Sequence, residues 1–157
     1  MSMERARAHL AKYGLESRIQ EFDVSSATVE LAAKALNTEC ARIAKTLSYM
    51  VDGNAILVVA AGDVRIDNPK FKAAFHTKAK MLTPEQAAEL IGHSVGGVCP
   101  FGVKDGVKVY LDVSLKRFET VFPACGTASS AIELSITELE QASECLSWVD
   151  IAKENVV

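Results

Sequence analysis

The stretch "KTLSYMVDGNAILVVAA", Lys45 to Ala61, decides the fold. Its first part alternates, and a period of two sets Lys45, Leu47, Tyr49 and Val51 on one face of a strand. "DGN" is a tight-turn signal between two such runs, so the chain reverses into an antiparallel hairpin. "AILVVAA" is apolar without a break, as expected of a strand covered on both faces. A hairpin of this kind belongs at the centre of a sheet.

Further strands are expected outward from the hairpin. "RIQEF" reads as a short strand. "VKVYLDV" sets Val107, Val109, Leu111 and Val113 on one face, and "AIELSI" does the same with Ile132, Leu134 and Ile136. Helices are interspersed. One is expected over 3–13, with Ala6, Leu10 and Tyr13 at helical spacing and Gly14 as its stop. "TVELAAKAL" is a second, capped by Thr28, and residues 68–75 form a third. Thr83, Pro84 and Gln86 make a capping-box start for a helix ending near Gly92. "TELE" reads as another such start, for a helix over about 138–145. Strands joined by short turns and mixed with helices predict an α/β (α+β) fold. The sheet is expected to be mixed and partly closed, barrel-like, with helices around it, rather than parallel and doubly wound. No repeat and no linker divides the chain, so residues 1–157 are expected to form one domain.

Composition narrows the function. About half of the 157 residues are apolar (49%), enough for a substantial core. No apolar run approaches the roughly 20 residues of a membrane span, and no membrane association is expected. "MSMERARAHLAKYG" carries charge where a signal peptide needs an apolar stretch, which points to the cytoplasm. Cys40, Cys99, Cys125 and Cys145 are scattered, without CxxC or a suitably spaced histidine, so no metal and no other cofactor is expected. The net charge of −3 disfavours nucleic acid. Within it, however, Arg65, Lys70, Lys72, Lys78 and Lys80 form a basic strip that could attract phosphates. On charge alone, the plainer reading is a solvated face.

The candidate chemistry is sparse. Lys45 either stands at the exposed end of its strand, the simpler position, or points into a pocket as a charge suited to a phosphate or carboxylate. "GGVCPFG", Gly96 to Gly102, combines glycines that permit φ > 0 with a proline that lacks an N–H. Such a loop can aim main-chain N–H groups at an anion or a polarised carbonyl, or simply lead into the next strand. It matches neither phosphate-binding glycine motif. His93 precedes the loop and Cys99 lies inside it. Each reads first as a packing or helix-end residue and second as a catalyst. Asp112 reads as structural or surface, and Trp148 as packing the C-terminal segment onto the body.

In order along the chain, Lys45-Thr46-Leu47, "GGVCPFG", "VYLDVSL" and "CGTASSAIEL" resemble the YbaK and prolyl-tRNA-synthetase-associated editing domain family. The resemblance implies that family's fold, a mixed barrel-like sheet with helices around it. It also implies a trans-acting aminoacyl-tRNA deacylase, whose partners are the acceptor end of mischarged tRNA and a prolyl- or other aminoacyl-tRNA synthetase. Carried over residue by residue, the implied catalytic set is Lys45 with Gly96 and Gly97. The implied substrate-binding set is Thr46, Val98, Cys99, Pro100, Phe101, Gly102, Gly126, Thr127, Ser129 and Ser130. The family lysine engages the terminal adenosine or its phosphate, and the Gly-x-x-x-Pro loop sets N–H groups near the scissile carbonyl. No metal is required. Some members that remove alanine carry a histidine in the loop after the late glycine, whereas this chain has Ser129 and Ser130, so alanine and cysteine both remain candidates. A non-catalytic binding module and a small-molecule hydrolase using Cys99 are the competing readings. The oligomeric state is left as a monomer or a weak homodimer.

Overall fold

The computed structural model describes residues 2–94 and 96–154. Helix α1 (Ser2–Ala11) leads through a 3₁₀ turn to β1 (Gln20–Glu21), and α2 (Val29–Leu36) follows. Thr28 caps α2 as its sequence predicts, its hydroxyl accepting from the Leu31 N–H at 3.2 Å. The hairpin is β2 (Ile43–Val51) and β3 (Asn54–Ala61), with Val51 facing Asn54 across the turn. Then come β4 (Val64–Ile66), α3 (Asn68–Phe75) and α4 (Pro84–Gln86). The Thr83–Gln86 capping box is formed, and the helix continues as a π-type turn that Gly92 ends at φ 99°.

The second half holds β5 (Lys108–Asp112), β6 (Thr120–Pro123), β7 (Ser130–Ala131), β8 (Leu134–Ser135), α5 (Ile136–Ala142), β9 (Ser147–Val149) and β10 (Ala152–Glu154). Three boundaries correct the sequence reading. "AIELSI" is not one alternating strand, because it divides into β7 and β8 with Ile132 and Glu133 between them. Helix α5 is capped by Ser135 and not Thr137, since Glu138 closes the box onto Ser135. Val113 leaves the expected strand face for a 3₁₀ turn, in which Asp112 accepts from the Ser114 N–H.

The main sheet runs β8-β6-β2-β3-β5-β9. It is mixed, as expected. The β2–β3 and β6–β8 pairs are antiparallel, while β2–β6, β3–β5 and β5–β9 are parallel. Two small antiparallel ladders, β1–β7 and β4–β10, curl its margins into a half-barrel. Strand β3 is buried from Ala55 to Ala61, in agreement with its unbroken apolar sequence. On one face, Leu10, Phe101, Leu111 and Leu139 pack the core; on the other, Tyr49 and Phe71 meet with ring centroids 4.8 Å apart. Trp148 packs against the first cluster, as anticipated, and donates to Glu140 at 2.5 Å.

One irregularity positions the site. Strand β6 pairs with β2 only at Ile43 and Ala44. At the far end of β2 the same edge is taken by the 80–82 segment: the Met50 N–H donates to Lys80 at 2.9 Å and the Leu82 N–H to Ser48 at 3.1 Å. Between those contacts the edge of the sheet is open over 45–47.

Candidate functional site

A cavity of about 330 Å³ lies along that open edge. Because it sits at an edge, both faces of β2 contribute to it: Lys45 and Leu47 from one, Ala44, Thr46 and Ser48 from the other. The start of α2, the 81–84 segment, Gly96, Val98, Phe122 and Ser130 complete its wall. Most of this lining is apolar, and Lys45 supplies its charge.

Lys45 is not at an exposed strand end, the position its sequence context alone favours. It is half-buried, and its Nζ donates to the Val64 carbonyl of β4. Burial lowers its pKa from the ordinary lysine value, while the charges of Asp63 and Glu30 work in the opposite direction. Asp63 is itself held by Arg117 through two bonds of 3.0 and 2.6 Å, and that pairing keeps its carboxyl below the usual range. The result is a partly desolvated cation with acidic groups near it, aimed along a mostly apolar chamber.

The glycine loop divides in two. Gly96 and Val98 line the cavity. Gly96 has φ 87°, and a Cβ there would lie 3.1 Å from Ala128 and 3.2 Å from Ala27. Gly97 is turned the other way: its N–H donates to Ser94 at 3.0 Å, and a Cβ would fall 2.4 Å from the Gly126 carbonyl carbon. That N–H is therefore committed within the fold. Cys99, Pro100 and Phe101 are buried away from the cavity, and Gly102 packs against Arg5, whose Nε donates to its carbonyl at 2.7 Å. These four anchor the loop and do not line the chamber.

Cys99 is fully buried and its thiol is pushed up to about 12 by desolvation. His93 Nε2, 3.6 Å from that sulfur, donates to the Phe101 carbonyl at 2.7 Å. Burial lowers the pKa of His93. A thiol held neutral beside an imidazole engaged in this way lacks the activation a nucleophile needs.

The late loop is also split. Ser130 lines the cavity, its hydroxyl accepting from Thr127 Oγ1 at 2.8 Å. Gly126 and Thr127 face a separate depression beside Gly92 and Ser94, and Ser129 lines neither. Thr46 is in the wall. Sequence reasoning missed Ser26, which lines the same cavity and is fixed by its own N–H donating to Ala128 at 2.6 Å. No motif marks it. Its neighbours "SSATVELAAKAL" read only as the approach to a helix.

Among the described residues, no group of three histidine, cysteine or acidic side chains is placed to hold a metal. Nor is any helix of those residues long and apolar enough to cross a membrane. In the basic strip, Arg65, Lys72, Lys78 and Lys80 are exposed, whereas Lys70 is engaged by Asp150 at 3.1 Å.

The aminoacyl-tRNA editing domain family model matches residues 23–142, and the chain belongs to that family. It is 50% identical over 155 residues to the uncharacterized protein YwhH of Bacillus subtilis, spanning 98% of this chain and 99% of that one. Against the proline–tRNA ligase of Listeria innocua it is 33% identical over 73 residues, 46% of this chain but only 13% of the ligase. Among solved structures, a protein proposed as a trans-editing enzyme for prolyl tRNA synthetase superposes with a TM-score of 0.87 at 27% identity, covering 97% of each chain. The hypothetical protein APE2540 follows with a TM-score of 0.84 at 25% identity, over 95% of this chain and 99% of that one.

Proposed function

We propose that this member of the editing family is a trans-acting aminoacyl-tRNA deacylase. It would hydrolyse the ester that joins a wrong amino acid to the tRNA 3′ end, with Cys-tRNA(Pro) and Ala-tRNA(Pro) as the leading substrates. The observation that carries the reading is Lys45, a half-desolvated cation that lines the same cavity of about 330 Å³ as Gly96 and Val98. A drug-sized ligand occupies a pocket of at least about 300 Å³, so the terminal aminoacyl-adenosine is of suitable size.

In this reading Lys45 attracts the terminal nucleotide through its phosphate or ribose oxygens. The main chain at Gly96 and Val98 supplies N–H groups toward the ester carbonyl. Gly97 is no longer assigned that role, because its N–H is spent on Ser94. Water, assisted by the neighbouring ribose hydroxyl, adds to the carbonyl carbon; a substrate thiol that adds instead carries the acyl group off as a cyclic thioester, which water then opens. The ester C–O bond then breaks, and the ribose oxygen leaves with a proton as a hydroxyl. An aminoacyl ester is already labile, so positioning and carbonyl polarisation can drive the step without an activated side-chain nucleophile. The exposed Arg65, Lys72, Lys78 and Lys80 would meet acceptor-stem phosphates, making binding salt-sensitive. The chain would act as one domain in the cytoplasm, alone or beside a synthetase.

The test is a deacylation assay over a panel of mischarged tRNAs with Lys45→Ala beside the native protein. A loss of about 100-fold or more is expected on removing the cavity cation. Tight binding of the panel without amino acid release would instead favour a non-catalytic module.

A further inference from the structure

Two hydroxyls in the cavity wall have been buried without compensation. Ser26 is 8% exposed, and among the described residues its Oγ has no hydrogen-bond partner; the same holds for the buried Oγ1 of Thr46. A buried hydroxyl left unpaired costs about 1–3 kcal/mol, and here both belong to residues that line one cavity.

The main chain at Thr46 adds to this. Met50 and Ser48 use their outward N–H and C=O groups on the 80–82 segment, and Ala44 faces β6. The strand period of two therefore turns the Thr46 N–H and C=O to the same edge. Neither β6 nor the 80–82 segment extends to that position. Among the described residues, Thr46 is thus one unpaired ladder position, a donor beside an acceptor, and the two residues with unpartnered hydroxyls line the same cavity.

An α-aminoacyl group carries the complement. Its ammonium donates and its carbonyl accepts on one side of a single residue, as a strand residue does in an antiparallel hydrogen-bonded pair. We infer that the aminoacyl group docks on Thr46 as a one-residue strand, its α-ammonium read by the Thr46 carbonyl and the Ser26 and Thr46 hydroxyls. The ester carbonyl then faces the Thr46 N–H, which joins the loop in polarising it. Ser26 and Thr46 are positioning residues for the amino end of the substrate. The assignment rests on the deacylase reading for its substrate class, and it makes the site selective for free α-amino acids over acyl groups that lack the amine.

Non-hydrolysable probes test the docking apart from catalysis. Binding of 3′-deoxy-3′-(L-alanylamino)adenosine and of its 3′-propionylamino counterpart, which differs only in lacking the amine, is measured by titration calorimetry. The alanyl probe is expected to bind about 10-fold or more tightly, the scale of one hydrogen bond to a charged group. Ser26→Ala should narrow that ratio about 3-fold or more while leaving propionyl binding unchanged. Equal affinity for the two probes, binding of neither, or an unchanged ratio in Ser26→Ala overturns the inference. Preferential alanyl binding by a protein that releases no amino acid from any tRNA would instead remove the deacylase reading and leave the docking intact.

Discussion

Asp112 and Ser26 are both buried polar side chains, and the chain treats them in opposite ways. Asp112 is 1% exposed and fully used: one carboxylate oxygen accepts from the Ser114 N–H and the other from the Ile151 N–H, each at 2.9 Å. It ties the end of β5 to the C-terminal segment across 39 positions of sequence. Ser26 is 8% exposed and used by nothing within the described residues. Lys45 belongs with Ser26, since its charge is held half out of water where burial works against it. The difference teaches where this fold has been optimised for stability and where stability has been given up. Polarity held at a cost collects along the open edge of β2, as an unpartnered hydroxyl at Ser26 and as a desolvated cation at Lys45 despite its bond to Val64, whereas fully paired polarity holds the sheet together.

Substitutions should separate the two regions. The largest effect on stability is expected at Asp112. Asp112→Ala leaves the buried Ile151 N–H and the part-buried Ser114 N–H without their partner, a loss of about 2–4 kcal/mol read by denaturant unfolding. Deacylation per folded molecule should stay within about 3-fold of the native value, and a selective loss of activity would break the contrast.

Lys45→Met should move stability the other way. Its pKa in the folded protein lies below the unfolded value, so at neutral pH the charge is destabilising. That cost shrinks as pH rises through the folded pKa and vanishes above roughly 10.4, the unfolded lysine value. A gain in stability at pH 7 that fades in alkaline solution is the expected outcome, read by denaturant unfolding at the two pH values. A destabilised Lys45→Met protein would place the lysine with Asp112 instead.

The smallest effect belongs to His93. Its folded pKa is depressed by burial, so it adds stability that is complete above about 6.5 and drains away as pH falls below that value. Melting temperature should fall between pH 7 and pH 5, and His93→Gln should flatten the slope. An equal slope in the variant would assign the acid sensitivity to other groups.

How much of this was legible follows from the range of each signal. The β2–β3 hairpin and the Thr28 and Thr83–Gln86 caps are written in a few adjacent residues, and they appear as read. Where two local patterns overlap, sequence alone misassigns the boundary. Ser135 and Thr137 each stand three residues before a glutamate, and only packing selects Ser135. The three-residue β4, β9 and β10 are too short to show a period, and pairing with distant strands defines them. The site was legible in its unusual residues and illegible in its geometry. Lys45 and Gly96 stand out in sequence, but whether Lys45 faces a cavity depends on β6 ending its contact at Ala44. Cys99 reads first as packing and second as a nucleophile, and it lies fully buried in the core beside Phe101. Ser26 is an ordinary serine until its missing partner is seen.

The most direct test of the central claim is single-turnover deacylation of Cys-tRNA(Pro) and Ala-tRNA(Pro) by the native protein, Lys45→Ala and Cys99→Ala. Amino acid release is expected from the native protein and from Cys99→Ala, with a loss of about 100-fold or more in Lys45→Ala. Undiminished release by Lys45→Ala, or release that depends on Cys99, would contradict it.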